Sequence, residues 1–143
     1  QPTDAIIIQG SIWTIEDYSF YHCSALKSIN IPDSVISIGN RAFFHCASLE
    51  SISIPNSITS IENGAFCGCT SLMSITLPDK VTFIGEYAFY NCASLSSITI
   101  PDSVTFIGEY AFDKCSCLEN VTMPKDLKYP LNVFPDEVII SRY

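Results

Sequence analysis

Apolar and polar positions along this chain alternate in short bursts that return every 23 residues. Each burst holds a triplet of the form I-x-I, as at Ile29/Ile31, Ile52/Ile54, Ile75/Leu77, Ile98/Ile100 and Val121/Met123. Alternation over three residues is the period of a short strand buried on one face. Proline follows each triplet, at Pro32, Pro55, Pro78, Pro101 and Pro124, and ends the strand because it cannot donate a ladder hydrogen bond. An I-x-x-I step, as at Ile58 and Ile61, then turns inward. Last comes I-x-x-x-A-F-x-x-C, which sets Ile61, Ala65 and Cys69 four residues apart with Phe66 beside them. That spacing predicts a short helical or 3-10 turn packed on the strand layer.

The period holds residue by residue. Cysteines fall at 23, 46, 69, 92 and 115, phenylalanines at 20, 43, 66, 89 and 112, and the nonapeptide VTFIGEYAF occurs at 81–89 and again at 104–112. Self-similarity of this kind marks a solenoid, in which each unit buries its apolar stripe only against its neighbours. The expected organisation is a single domain over residues 1–143. Residues 1–22 form a degenerate N-terminal coil, with Ile6, Ile8, Ile12 and Ile15 in the places of Ile29, Ile31, Val35 and Ile38. Residues 23–117 hold four 23-residue repeats and the start of a fifth, and residues 118–143 an irregular C-terminal coil. Solenoid ends expose core and strand edges, so caps are expected. Trp13, Tyr18 and Tyr21 are assigned to one end, and Leu127, Tyr129, Leu131, Val133 and Phe134 to the other. Residues 138–140 read as a strand of a shortened last coil that joins the parallel sheet; left unpaired, that edge would support a dimer instead of a monomer.

Composition narrows the function. Apolar residues make up 48% and charged ones 15%, which excludes disorder. A net charge of −8 argues against nucleic acid and anionic membranes as partners. No apolar run approaches the ~20 residues of a membrane span. The chain opens at Gln1 with no basic leader, which reads as a processed fragment.

The motif search returns no nucleophile elbow, Walker loop, H-E-x-x-H or paired carboxylates, so neither a catalytic residue nor a cofactor is expected. Cys67-Gly-Cys69 and Cys115-Ser-Cys117 have one residue between the thiols instead of the two to four of zinc knuckles, and no metal site is expected. Helical turns would stand about 8–10 Å apart, whereas disulfides need Cα atoms within about 7 Å. The five ladder cysteines therefore read as free, buried thiols, whereas Cys67 and Cys117 lie off the ladder and the spacing leaves their exposure open. His22 and His45 occupy equivalent positions and read as a stacked surface pair. Asp33, Asp79 and Asp102 form a solvated row of turn residues, and Asn120-Val121-Thr122 is a glycosylation sequon.

Two surfaces are candidate binding sites. The outward strand positions Ser51, Ser53, Ser74, Thr76, Ser97, Thr99, Asn120 and Thr122, continued by Ser28 and Asn30, form a field of small hydroxyl and amide groups. Six strands about 4.8 Å apart would make it roughly 25 Å wide. It reads equally as a docking sheet or as small residues chosen for close strand packing, since it lacks the aromatic and arginine anchors of binding hot spots. The aromatics gather elsewhere. Phe83 and Phe106 stand where earlier coils have Ser37 and Ser60, and Tyr87 and Tyr110 where they have Arg41 and Gly64. Flanked by Glu86 and Glu109, this cluster reads as a contact patch, with half-buried packing between coils as the rival account.

The pattern L-x-x-I-x-I-P-x-x-V-x-x-I-G-x-x-A-F-x-x-C, complete at residues 26–46 and 95–115, resembles the treponemal-type, or BspA-like, leucine-rich repeat. The likeness covers residues 6–127, and Glu62 departs from it where glycine is usual. It implies an α/β repeat fold: a leucine-rich-repeat solenoid with short parallel strands on the concave face and helical or 3-10 turns on the convex side. It further implies a secreted or cell-surface module that adheres to an extracellular-matrix or cell-surface protein. A structural spacer and an intracellular effector, the latter favoured by free thiols, are the alternatives.

Overall fold

A computed structural model describes residues 4–143 of the chain. Ten short strands follow in order: β1 (Ala5–Ile7), β2 (Thr14–Ile15), β3 (Ser28–Asn30), β4 (Ser37–Ile38), β5 (Ser60–Ile61), β6 (Phe83–Ile84), β7 (Ser97–Thr99), β8 (Phe106–Ile107), β9 (Asn120–Met123) and β10 (Ile139–Arg142). All pairings are parallel and join equivalent residues of adjacent coils, such as Ile6 with Ile29 and Ile98 with Val121. The chain is a solenoid of about six turns.

Each coil has three sides. The I-x-I side pairs β1 with β3, and β7 with β9 and β10. In the two coils between them, residues 51–54 and 74–77 keep the alternation but form no strand: Ile52, Ile54, Ile75 and Leu77 are buried, whereas Ser51, Ser53, Ser74 and Thr76 are exposed. Side-chain burial holds these segments in place, so the sheet expected across six coils is split. The second side, not expected from the sequence, is another parallel sheet: β2 with β4, and β5 with β6 and β8. Its inward residues are Ile15, Ile38, Ile61, Ile84 and Ile107, all buried.

The third side overturns the helical or 3-10 turns expected on the convex face, because no helix is present among the described residues. Left-handed backbone recurs there four residues apart in every full coil, at Tyr18 and His22, Arg41 and His45, Gly64 and Gly68, Tyr87 and Asn91, and Tyr110 and Lys114. A positive φ at every fourth residue breaks a helical ladder. Alternate amides point along the solenoid instead: Arg41, Phe43 and His45 donate to the carbonyls of Asn63, Ala65 and Cys67 in the next coil at 3.0, 2.9 and 2.7 Å. The amides between them close four-residue turns, Ala42 to Gly39, Phe44 to Arg41 and Cys46 to Phe43. The four-residue spacing of Ile61, Ala65 and Cys69 thus follows a flat turn ladder that imitates the helical period. At Gly68, with φ +76°, the His45 ring lies so near that a Cβ would meet its Nε2 at 2.8 Å.

Inside this side runs a column of rings. Phe20, Phe43, Phe66, Phe89, Phe112 and Phe134 stack with centroids 5.2, 5.4, 5.5, 5.0 and 5.4 Å apart. Beside it, the Cys46, Cys69, Cys92 and Cys115 thiols donate to the carbonyls of Phe20, Phe43, Phe66 and Phe89 at 3.0–3.2 Å. Each of Phe43, Phe66 and Phe89 thereby accepts twice, from the amide of its own coil's cysteine and from the thiol of the next. All seven cysteines are free. The helical separation of about 8–10 Å does not arise, since coils hydrogen-bonded through their backbones sit at strand spacing; the carbonyl acceptors account for the thiols instead. Of the two cysteines off the ladder, Cys67 is buried at 6% exposure and Cys117 is exposed.

The ends also differ in part from expectation. Trp13, Tyr18 and Tyr21 are 69%, 51% and 45% exposed, so the first coil closes on the half-buried Ile6, Ile8, Ile12 and Phe20. At the other end Leu127 and Val133 are buried, but Leu131 points wholly into solvent. The last strand, placed at residues 138–140 by the sequence, runs as β10 parallel to β9, with Ile140 opposite Val121. The Arg142 guanidinium fastens it by donating to the carbonyls of Pro124, Lys125 and Leu127 at 3.1, 3.0 and 2.9 Å.

Phe66→Ala removes a ring stacked on both sides and costs about 3–5 kcal/mol in urea unfolding, whereas Phe20→Ala, at the half-buried end of the column, costs clearly less. Equal losses would mean that the column does not act as a spine. Burial pushes Cys46 up to about 12 and Cys67 up to about 11 from an ordinary 9.0, and holds Cys69 and Cys92 well above that ordinary value. The folded chain holds these protons after the unfolded chain has released them, so stability is full below the ordinary value of 9.0 and falls as pH climbs towards about 12. The urea midpoint should therefore hold up to about pH 9 and drop between about pH 9 and 12, with Cys117 alone labelled rapidly by thiol reagents at about pH 8; a flat midpoint would contradict it.

Candidate functional site

The hydroxyl field lies where the alternation places it. Ser51, Ser53, Ser74, Thr76, Ser97, Thr99 and Asn120 are exposed, and Thr122 is half-buried. Their partners in the alternation are the buried isoleucines, so the outward direction is set by the core and not by any contact among the hydroxyls. The face carries shallow depressions. One of about 350 Å³ lies over Ser51, Ser53, Ser74 and Thr76. Another of about 530 Å³ is bounded by Ser74, Thr76, Ser97, Thr99 and Tyr143. Tyr143 was not legible in the sequence because it falls outside the period. Its hydroxyl donates to the Ile100 carbonyl at 2.7 Å, and its amide donates to Met123 at 3.0 Å, which folds the ring back beside the field.

The aromatic residues assemble on the other two sides. Phe83 and Phe106 are the outward residues of β6 and β8, paired in register, with rings stacked at 5.1 Å and 5°. Phe83 is half-buried and Phe106 is 47% exposed. Stacking between coils and exposure to solvent therefore coexist at this pair. Tyr87 and Tyr110 stack at 5.0 Å one corner further along the coil, and Tyr90 meets Tyr87 edge-on at 5.2 Å. Glu86 and Glu109, one residue before each tyrosine, are exposed. The Glu86 amide donates to Asn63 Oδ1 of the preceding coil at 2.9 Å, which fixes this corner. Desolvation raises the pKa of the Tyr87 hydroxyl, followed in effect by Tyr110, Tyr90, Glu86 and Glu109.

A second exposed aromatic group occupies the first two coils. Tyr21 stacks on Phe44 at 5.0 Å, Tyr18 meets Tyr21 edge-on, and His22 and His45 lie 4.9 Å apart as the expected pair. Tyr18 and Tyr21, expected in the cap, belong to this group instead; their 23-residue spacing from Arg41 and Phe44 is the signal that places them here. Among the described residues, no group of three or more His, Cys, Asp or Glu is placed to hold a metal ion. No helix among them is long and apolar enough to cross a membrane.

Comparison with known proteins agrees with this architecture. Residues 37–134 match, in six copies, the family described as "BspA type Leucine rich repeat region". A leucine-rich repeat protein from T. pallidum is 29% identical with a TM-score of 0.82, over 99% of this chain and 74% of its own. A leucine-rich cell surface protein from Faecalibacterium prausnitzii is 40% identical with a TM-score of 0.82, over 86% of this chain and 32% of its own. A leucine-rich repeat protein from Bacteroides ovatus is 28% identical with a TM-score of 0.82, over 97% of this chain and 45% of its own. The chain therefore spans about three quarters of the first and less than half of the other two. No curated protein matches. A pattern complete at two places, a period kept in space by stacked phenylalanines and thiols, and a match over residues 37–134 place this chain in the BspA-type leucine-rich repeat family.

Proposed function

We propose that residues 1–143 act as one non-enzymatic protein-binding module, displayed on a cell surface or secreted, whose partner is an extracellular-matrix or cell-surface protein. One observation carries the reading: the duplicated nonapeptide places two partly exposed, mutually stacked aromatic pairs, Phe83/Phe106 and Tyr87/Tyr110, on a backbone held by intercoil hydrogen bonds. Aromatic anchors on a rigid scaffold lose little side-chain entropy on binding, which is why such residues dominate interfaces. Surface display is supported by the Faecalibacterium relative, described as a cell surface protein. The hydroxyl field, with Tyr143 at its margin, would supply a secondary polar contact.

The spacer reading makes the opposite forecast, since a spacer loses nothing when its surface changes. Phe83→Ser with Phe106→Ser restores the residue type that β4 and β5 carry at these positions, so the fold should tolerate the change. Saturable binding to a matrix or cell-surface preparation should weaken about tenfold or more in this double variant. An unchanged affinity would remove the patch from the interface, and no saturable binding by the parent chain would sink the reading.

A further inference from the structure

The two coils that carry the aromatic pairs are acidic on balance: residues 69–115 hold Asp79, Glu86, Asp102, Glu109 and Asp113 against Lys80 and Lys114, and the charges beside the tyrosines are Glu86 and Glu109. The coil below sets small residues beside the stacks: Ser60 lies opposite Phe83, and Gly64, whose amide donates to the Glu86 carbonyl, occupies the column of Tyr87. The Arg41 side chain already lies across Gly64, which is why a Cβ there would meet its Cγ at 2.8 Å. This column thus accommodates a guanidinium side chain within the chain itself. Tyr87 and Tyr110, at φ 59° and 61°, hold a backbone conformation that Gly64 adopts at 64° without steric cost. The large rings are kept there against that preference.

We propose that the partner of this surface presents an arginine-rich extended segment, whose guanidinium groups lie on the Phe83/Phe106 and Tyr87/Tyr110 stacks and pair with Glu86 and Glu109. Guanidinium suits both halves of the site, because it is planar enough to stack on a ring and forked to match a carboxylate. Lysine offers only a point charge and would bind more weakly. The inference rests on the binding reading above and adds the chemistry of the partner.

The test uses the full chain and a fluorescent peptide of alternating Arg and Gly, with Lys-Gly and Glu-Gly peptides beside it, followed by anisotropy at about 0.15 M salt. The Arg peptide should bind saturably, the Lys peptide more weakly and the Glu peptide not at all. Glu86→Gln with Glu109→Gln should weaken the Arg peptide about tenfold, as should Phe83→Ser with Phe106→Ser. Asp79→Asn with Asp102→Asn removes the same charge from the turn row and should change it less than about twofold. Equal losses from both charge pairs would reduce the effect to bulk attraction and overturn the proposal. If the Arg peptide fails while a cell-surface preparation still binds in a Phe83- and Phe106-dependent way, the arginine assignment falls and the binding module stands. If the peptide binds as forecast but no surface preparation does, the site is real and the assigned biological partner is wrong.

Discussion

Like side chains stacked on like, one coil apart, constrain everything else in this molecule. The phenylalanine column repeats at 5.0–5.5 Å, a distance at which aromatic faces attract and backbone amides of adjacent coils can bond. Both interactions demand the same rise, and the parallel sheet of β5, β6 and β8 demands it again. A coil that slipped by one residue would lose its ring contact, its thiol–carbonyl bond and its turn-ladder bonds together. The result is a structure whose stability is a sum of nearest-neighbour terms but whose register is shared by all of them.

This constraint also explains where variation is allowed. Inward positions keep their identity from coil to coil, while outward ones drift: Thr14, Ser37, Ser60, Phe83 and Phe106 occupy one column. Identical residues recur there at Ser37 and Ser60, and again at Phe83 and Phe106 within the duplicated nonapeptide. Duplication then places two equal rings in contact, and a single exposed aromatic becomes a stacked pair. The acidic residues copied with them give the patch its electrostatic character.

The repeat, the buried isoleucines and the hydroxyl field were legible because each depends on side-chain identity at a fixed spacing. The turn ladder was not, since it depends on the sign of φ at positions filled by Arg41, His45, Tyr87, Asn91 and Lys114, which share no side-chain chemistry. Gly64 and Gly68, both at positive φ in the same two columns, were the available signal, and the four-residue spacing of Ile61, Ala65 and Cys69 concealed it. The free state of the ladder thiols was anticipated from a helical spacing that does not exist. In place of that spacing, the Cys69, Cys92 and Cys115 thiols each donate to a phenylalanine carbonyl of the preceding coil. Tyr143 and Arg142, which shape the last coil, stand outside the period and could not be placed by it.

Amide hydrogen exchange measured residue by residue tests the stacked register most directly. Arg41, Phe43 and His45, with Gly64, Phe66 and Gly68 one coil later, donate to carbonyls of the following coil. Their amides should be protected to the same degree as those of Gly85 and Gly108, which donate to the strand residues Ile61 and Ile84 at 2.8 Å. Rapid exchange at Phe43 and Phe66 beside slow exchange at Gly85 and Gly108 would show that the turns form no intercoil ladder, and the shared register would fall with it.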